Sequence, residues 1–189
     1  MVLCDTEIRA AISSGQIIID PPPPADHITT TAVDLTLGAE FRRWITPEGG
    51  IAFAIDPSHP SFNYHKVASK YQESVQLEAD DSVVLKPHDF ILGLTKERVV
   101  LPETSRLAAR VEGRSRLARL GLAVHLTAPT VHAGFRGHIT LEITNQGPIP
   151  IKLRPGLPVC QLIFEMVFGT PSVQMEGIFQ DQVSVTGKA

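Results

Sequence analysis

The densest chemistry in this sequence of 189 residues lies in a short stretch that begins with the triplet Gly113-Arg114-Ser115. Ser115 and Arg119 are four residues apart, so a helix over residues 115–120 would present both side chains on one face. Gly121 would then close that helix as a C-cap. Backbone N–H groups, a hydroxyl and a guanidinium would converge at the start of the helix. This combination predicts an anion site, and phosphate is the anion that fits it best.

Glu142 is a second candidate for chemistry because it lies in a strictly alternating segment. Apolar residues at positions 139, 141 and 143 would face the core, and polar residues at 138, 140, 142 and 144 would face away. The pattern predicts a half-buried strand with a carboxylate at its centre. By residue type alone, such a Glu is more often solvated or salt-bridged than catalytic, and an Arg-rich half-turn is more often plain surface. Residue types therefore leave both a catalytic role and a surface role open.

Length, charge and cysteine content limit the classes of protein to consider. A chain of this length predicts one domain with its own core, which needs neither a metal nor a disulfide to fold. The net charge is −3 and the basic residues cluster only at 106–119, so a nucleic-acid polymer is a poor partner and a small anion fits better. Cys4 and Cys160 lack the spacing of a zinc site. We expect both cysteines to be buried and the compartment to be reducing.

The domain organisation is simple. There is no internal repeat or linker, so we expect a single domain over residues 1–168. Residues 169–189 are polar and contain glycine, which predicts a mobile tail. The N-terminus lacks a signal-peptide pattern and no apolar run reaches membrane-spanning length. We therefore expect a soluble, cytoplasmic protein with no membrane partner.

Short strands dominate the predicted elements. Asp5 or Thr6 would cap an N-terminal helix that Gly15 ends, and this would be the only sizeable helix. Pro21–Pro24 would form a rigid, extended connector, and residues 46–80 predict loops and edge strands. The later segments are typical of an antiparallel sandwich or barrel, with strands expected at 83–85, 90–94, 98–100, 107–109, 122–127, 138–144, 149–153 and 159–168.

The central motifs resemble those of the dCTP deaminase family, which has the dUTPase-like fold. The resemblance extends over nearly the whole chain. It rests on Glu112-Gly113-Arg114-Ser115-x-Leu117-Ala118-Arg119-Leu120-Gly121-Leu122, His125-x-Thr127-Ala128, Gly134-Phe135-x-Gly137-x-Ile139-Thr140-Leu141-Glu142, Asn145, Leu153-x-Pro155-Gly156 and Gln161-Leu162-x-Phe164, with Asp34-Leu35-x-Leu37-Gly38 upstream.

The resemblance implies an architecture and a set of ligands. The fold would be mainly β, a distorted antiparallel β-barrel with one N-terminal helix and one short central helix. Three chains would form a homotrimer with an active site at each subunit interface. The substrate would be a nucleoside triphosphate that carries Mg²⁺, no zinc would be bound, and the 169–189 tail would close over the nucleotide as a lid.

The resemblance also implies residue roles. Glu142 would be the general base that activates water and passes protons to the departing amine. Ser115 would hold that water, and Arg119 would orient Glu142. The remaining contacts would be phosphate binding by Arg114 and Ser115, recognition of the cytosine edge by the backbones of Leu126 and Ala128, and closure over the base by Phe179 and Gln182.

The chemistry of deamination agrees with these roles. Hydrolysis at C4 of cytosine needs a nucleophilic water, which zinc deaminases prepare with H-x-E and P-C-x-x-C ligands. Those motifs are absent from this sequence. A carboxylate would then have to remove and return the protons.

Three departures from the family pattern bear on specificity. His132, in Val131-His132-Ala133-Gly134, stands where Ile-Asp-Pro-Gly is common, which leaves the sugar preference open and disfavours pyrophosphate hydrolysis. We expect His132 and the neighbouring Phe135 to contact the ligand. Arg116 replaces a second Ser and would contact phosphate or solvent, and Ile178 replaces a phosphate-binding Lys. The nucleotide could therefore be dCTP or a relative of it.

Alternatives to these roles exist. His125 and His132 could bind a metal, but a hydrogen-bonded structural role fits His125 better. Asp34 could bind Mg²⁺, but we expect it to anchor a strand turn, and Trp44 to pack in the core or an interface. A nucleotide-binding regulator without turnover is the alternative to an enzyme, followed by a dUTPase-type pyrophosphatase. The joint presence of Ser115, Arg119 and Glu142 favours the enzyme.

Overall fold

The computed structural model describes residues 1–46, 54–173, 175–177 and 179–186. Within these ranges the chain forms three α-helices: α1 (Asp5–Ser13), α2 (Tyr64–Tyr71) and α3 (Ser115–Ala118). The strands are β1 (Ile18–Asp20), β2 (Val33–Trp44), β3 (Gln72–Ser74), β4 (Val83–Leu85), β5 (Phe90–Val100), β6 (Leu107–Gly113), β7 (Leu122–Ala123), β8 (Thr130–Val131), β9 (Arg136–Asn145), β10 (Ile151–Leu153) and β11 (Pro158–Met166).

One antiparallel sheet dominates the fold. Its strands follow the order β7-β9-β5-β2-β11-β6-β8, with β1 paired to β5 and β3 paired to β2. The sheet curls around the main apolar core, and β4 and β10 form a separate two-stranded ribbon. The predicted mainly β, barrel-like fold is confirmed in this curled, half-barrel form.

Strand β5 is longer than the sequence predicts, because the expected strands 90–94 and 98–100 are continuous. The register of β5 against β9 shifts between Leu94 and Arg98, which marks a bulge. Glu97 lies in this bulge with its carboxylate buried, and it accepts hydrogen bonds from the backbone N–H of Thr36 at 2.8 Å and the Thr36 hydroxyl at 2.6 Å. The bulge thus fixes β5 against β2.

Helix α2 is the main correction to the predicted elements. The sequence predicts loops and edge strands for residues 46–80, and β3 is such a strand, but residues 64–71 are helical. The Asn63 side chain caps α2 by accepting a hydrogen bond from the Lys66 backbone N–H at 3.0 Å. Ala68 is fully buried. Tyr64, Ala68 and Tyr71 have the helical spacing that weak apolar character concealed.

The two cysteines differ in environment, which corrects half of the prediction. Cys160 is buried on β11, and burial raises the pKa of its thiol, as do the charges of Glu97 and Asp34. Cys4 is exposed. It occupies the N-cap position predicted for Asp5 or Thr6, and its thiol donates a hydrogen bond to the Glu7 carboxylate.

The last described segment of the tail, residues 179–186, packs on the sheet. Gln180, Gln182 and Val185 are buried, and Val185 joins Leu92 and Leu94 in a small apolar cluster apart from the main core. The Val185 backbone N–H donates to the Glu40 carboxylate at 3.1 Å. The predicted mobility of the tail stays a prediction, and Ile178 lies outside the described residues.

None of the helices in the described ranges has the length and apolar character needed to cross a membrane.

Candidate active site

Strand β9 presents Glu142 as the alternating pattern predicts. Leu141 and Ile143 on either side are fully buried, whereas Glu142 is half-buried. Leu92 on β5 is its cross-strand partner. Thr144 departs from the pattern, because it is buried although it belongs to the polar face. The Glu142 carboxylate forms no hydrogen bond or ion pair with any described residue, so it is available to a ligand.

Glu142 opens into a cavity of about 440 Å³, the size expected for a small-molecule site. Six of the predicted site residues line this cavity: Glu142, Ala128, His132, Phe135, Phe179 and Gln182. They come from β9, from the segment between β7 and β9, and from the tail. The fold therefore brings together residues that span more than fifty positions of sequence.

The tail forms one edge of the cavity by pairing with the first half of β9. The Asp181 backbone N–H donates to the Arg136 carbonyl at 2.7 Å, and the His138 N–H donates to the Gln182 carbonyl at 3.2 Å. The Gln182 amide donates to the His138 carbonyl at 2.6 Å and to the Thr140 hydroxyl at 2.9 Å. Its buried Oε1 has no hydrogen-bond partner in the described chain. Gln182 thus carries an unpaired acceptor and lines the same cavity as Glu142.

Aromatic side chains build another wall. Tyr64 on α2 packs edge-to-face against Trp44, with ring centroids 6.4 Å apart, and against Phe179, with centroids 5.4 Å apart. All three rings line the cavity. Trp44, expected in the core or an interface, is therefore part of the cavity wall, and α2 contributes to the site although the sequence did not predict this helix.

The predicted anion site surrounds α3 and is largely exposed. Ser115, Arg116 and Arg119 are exposed, and their side chains form no hydrogen bond or ion pair with described residues. Helix α3 is shorter than predicted, because it ends at Ala118 with Arg119 rather than Gly121 as its C-cap. Gly121, at φ +93°, lies in the turn that follows and donates its backbone N–H to the Ala118 carbonyl at 2.9 Å. Arg114 precedes α3 and pairs with Asp34, Nη1 to Oδ2 at 3.0 Å.

Within one chain the anion site and the Glu142 cavity are separate. Arg114, Ser115, Arg116, Arg119 and Leu126 do not line the cavity. A second concavity of about 290 Å³ lies beside α3, between Gly113, Ala118 and the segment from Gly121 to His125. Leu120 and Leu126 are apolar and yet 58% and 52% exposed.

The described chain does not supply the hydrogen bond predicted for His125. His125 lines both concavities, its Nδ1 is buried without a hydrogen-bond partner in the described chain, and its Nε2 lies 3.8 Å from the Glu112 carboxylate. β7 ends at Ala123, so His125 lies after the strand rather than within the predicted 122–127 strand. His132 is exposed at the cavity mouth, where a ligand would contact it.

Sequence reasoning missed several residues of this site. Thr140, two residues before Glu142 on the same face, lines the cavity, and the alternating pattern contained that signal. Asp34 was set aside as a strand anchor, yet it contacts Arg114. Tyr64 and Met175 had no recognisable motif. In the described part of the chain, no three His, Cys, Asp or Glu side chains converge as a metal site would require.

Comparisons with known proteins identify relatives of this chain. A family model described as dCTP deaminase-like matches residues 2–167. A protein of Rhodospirillum rubrum named "dCTP deaminase" is 40% identical over 172 residues, which cover 91% of this chain and 86% of the relative. A protein of Coprothermobacter proteolyticus named "dCTP deaminase, dUMP-forming" is 38% identical over an alignment of 191 positions, which covers 99% of this chain and 95% of the relative.

The fold also matches a solved structure. The crystal structure of a 2′-deoxycytidine 5′-triphosphate deaminase from Agrobacterium tumefaciens superposes with a TM-score of 0.64 at 20% identity, over 87% of this chain. This chain spans about half, 48%, of the length of that protein. The family model and the two relatives, each matched over most of its length, place the chain: it belongs to the dCTP deaminase-like family.

Proposed function

We propose that this protein deaminates a cytosine deoxynucleoside triphosphate, converting dCTP and water to dUTP and ammonia. The observation that carries the proposal is the unpaired, half-buried Glu142 carboxylate in a cavity that also presents Gln182 and an aromatic wall. A cytosine ring can stack or pack against such a wall while hydrogen-bonding groups recognise its edge. The names of the relatives agree with this substrate.

The reaction follows from the position of the carboxylate. Glu142 takes a proton from a water molecule as the water oxygen attacks C4, and the proton is passed to N3 to give a tetrahedral intermediate. Glu142 then moves the hydroxyl proton to the amino group, which leaves as ammonia while the C4 carbonyl forms. Ser115 would hold the water and Arg119 would orient Glu142 and stabilise charge around it.

A homotrimer would complete this site. Ser115 and Arg119 do not line the Glu142 cavity of their own chain, and α3 is exposed next to the apolar Leu120 and Leu126. A neighbouring chain that covers these leucines would bring its own α3 to the cavity mouth, and three such interfaces close a ring. The exposed surface around α3 thus supports active sites that are shared between subunits.

The nucleotide would extend from the cavity to the α3 surface. The backbone of Ala128 and the Gln182 amide would recognise the cytosine edge, with Leu126 beside them, and Phe135, His132 and Phe179 would surround the nucleoside. Arg114, Ser115 and Arg116 would hold the triphosphate. Mg²⁺ would enter with the triphosphate and neutralise part of its charge, in the manner usual for this ion at nucleotide sites. No zinc is part of the proposal, since the sequence lacks the zinc-deaminase motifs.

The tail would act as a lid over this site. Its residues 179–182 already form one edge of the cavity, and ordering them around the base would exclude water during proton transfer. The tail is held by hydrogen bonds to β9, by ion pairs of Asp181 with Arg98 and Arg136, by the contact of Phe179 with Tyr64 and by Val185. None of these tail residues belongs to the main apolar core, so opening for substrate entry would leave that core in place.

A second candidate is deamination followed by release of pyrophosphate. It is favoured by the relative named "dCTP deaminase, dUMP-forming". His132 disfavours it, because an imidazole stands where the family commonly has an Asp. A nucleotide-binding regulator without turnover is the remaining alternative, and the unpaired Glu142 disfavours it.

The experiment that separates these functions is an assay of the purified protein with a panel of cytosine and uracil nucleotides and Mg²⁺. Ammonia and pyrophosphate are measured separately. Ammonia without pyrophosphate from dCTP is expected, and both products together would establish the second candidate. Nucleotide binding without either product would refute the enzymatic proposal.

A further inference from the structure

Arg114 is held by a buried acid on a neighbouring strand. Asp34 on β2 is only 3% exposed, and its Oδ2 lies 3.0 Å from Arg114 Nη1. The other carboxylate oxygen, Oδ1, accepts a hydrogen bond from the Gln161 amide at 3.1 Å. Asp34 thus has one partner on β11 and one at the entrance to α3, and both of its oxygens are engaged.

The strand register explains why these side chains meet. Gln161 on β11 lies opposite Asp34 on one side and opposite Glu112 on the other. Arg114 follows Glu112 by two residues, just beyond the end of β6. The three strands therefore place a carboxylate, an amide and a guanidinium in one row, and the row ends at the predicted anion site.

The ion pair leaves most of Arg114 free. A guanidinium has five N–H donors, and Arg114 forms no other hydrogen bond or ion pair with the described residues. Its side chain is 25% exposed. One edge is thus fixed by the buried acid, while the remaining donors can face a phosphate without a further loss of side-chain freedom.

We infer that Asp34 is a positioning residue for triphosphate binding, acting through Arg114, with Gln161 orienting Asp34 in turn. The inference rests on the proposed function, because it takes the ligand of Arg114 to be the triphosphate of the substrate. Without Asp34 the guanidinium keeps its charge and loses its fixed orientation. The triphosphate then has to order Arg114 on binding, and its affinity falls.

Charge alone predicts the opposite result. Asp34 neutralises part of the positive charge of Arg114, so removing the carboxylate would strengthen attraction of a polyanion if orientation had no effect. The sign of the change in triphosphate affinity therefore distinguishes positioning from simple charge balance.

The test is a double-mutant cycle between Asp34→Ala and Arg114→Ala. It is made in a Glu142→Gln background, in which dCTP is expected to bind without turnover. Binding of dCTP with Mg²⁺ and of deoxycytidine is measured by calorimetry. We expect D34A to weaken dCTP binding about tenfold, or about 1.4 kcal/mol, to leave deoxycytidine binding unchanged, and to have no further effect once Arg114 is alanine. Gln161→Met should weaken dCTP binding less than D34A does and should also leave deoxycytidine binding unchanged. This variant keeps the Asp34 carboxylate, so it provides a test if D34A folds poorly.

The outcomes are distinguishable. Unchanged or tighter binding of dCTP by both D34A and Q161M would overturn the inference, as would an equal loss in the R114A background. Equal losses for dCTP and deoxycytidine would show a general structural defect and would overturn it as well. If the parent protein binds neither ligand, the proposed function itself fails.

Discussion

Gly121→Ala tests how the turn after α3 is positioned. Gly121 has φ +93°, a region that costs a residue with a Cβ about 1–2 kcal/mol. A Cβ at this position would also lie 2.3 Å from the Gly147 backbone N and 2.6 Å from its Cα. Both neighbours are backbone, and the Gln146 N–H donates to the Gly121 carbonyl at 2.7 Å, so neither segment can move alone.

Gly15→Ala is the matched control for this substitution. Gly15 has φ +74°, but a Cβ there meets nothing within 4 Å. G15A should therefore lower the free energy of unfolding only by the cost of its backbone conformation, about 1–2 kcal/mol. G121A should lower it by about 1–3 kcal/mol more, because its Cβ also overpacks against the Gly147 backbone. In a chain of this size each kcal/mol lowers the melting temperature by about 2–4 °C.

The assay compares thermal unfolding of the two variants with the parent and measures dCTP turnover of each. G121A should melt several degrees below G15A and should lose activity, because the shifted turn displaces Ser115 and Arg119. G15A should keep the activity of the parent. Equal melting temperatures for the two variants would refute the reasoning from the backbone contact.

Three further predictions concern assembly, the tail and acid stability. Light scattering should give a trimer. Mixing E142Q chains with Arg119→Ala chains, each inactive alone, should restore part of the turnover, because mixed trimers contain sites with both Glu142 and Arg119. No recovery would place the site within one chain. Truncation after Gly169 should leave a folded trimer and remove most turnover, and a truncated protein with the full-length rate would contradict the lid. The pKa of Asp80 is lowered to about 2 by a hydrogen bond from Ser82 and then by Lys152 and Arg154. Because the folded pKa is depressed, this carboxylate stabilises the fold above its unfolded pKa of 3.8, and the contribution disappears as pH falls from about 4 to 2. Asp80→Asn should therefore reduce the difference in melting temperature between pH 5 and pH 2, and an unchanged difference would contradict this assignment.

Local patterns predicted the parts of the site that lie on regular elements. The alternation around Glu142 predicted its strand, its buried neighbours and its exposure, because a period of two leaves little choice of face. Gly121 predicted a turn after α3, since few other residues adopt its backbone conformation, although the helix itself ends three residues earlier. The resemblance to the deaminases supplied the roles, and the relatives confirm the family and the class of enzyme.

Features that depend on tertiary packing were not predictable in the same way. Helix α2 has only a few apolar residues, so its local sequence is a weak signal for a helix. The contacts of Tyr64 with Trp44 and Phe179 come from distant parts of the chain, and the local sequence does not show them. His125 lies past the end of a strand that was expected to contain it, so its environment was predicted wrongly. The contact between Asp34 and Arg114 joins residues eighty positions apart, and no short motif reports such a pair.

The most direct test of the central claim is the rate of ammonia release from dCTP by the Glu142→Gln variant. The amide keeps the shape of the side chain and cannot take a proton from water. We expect turnover to be abolished and the melting temperature to stay unchanged. Calorimetry should show that the variant binds dCTP about as tightly as the parent protein binds the product dUTP. Ammonia release at most of the parent rate would show that another group is the base and would contradict the account.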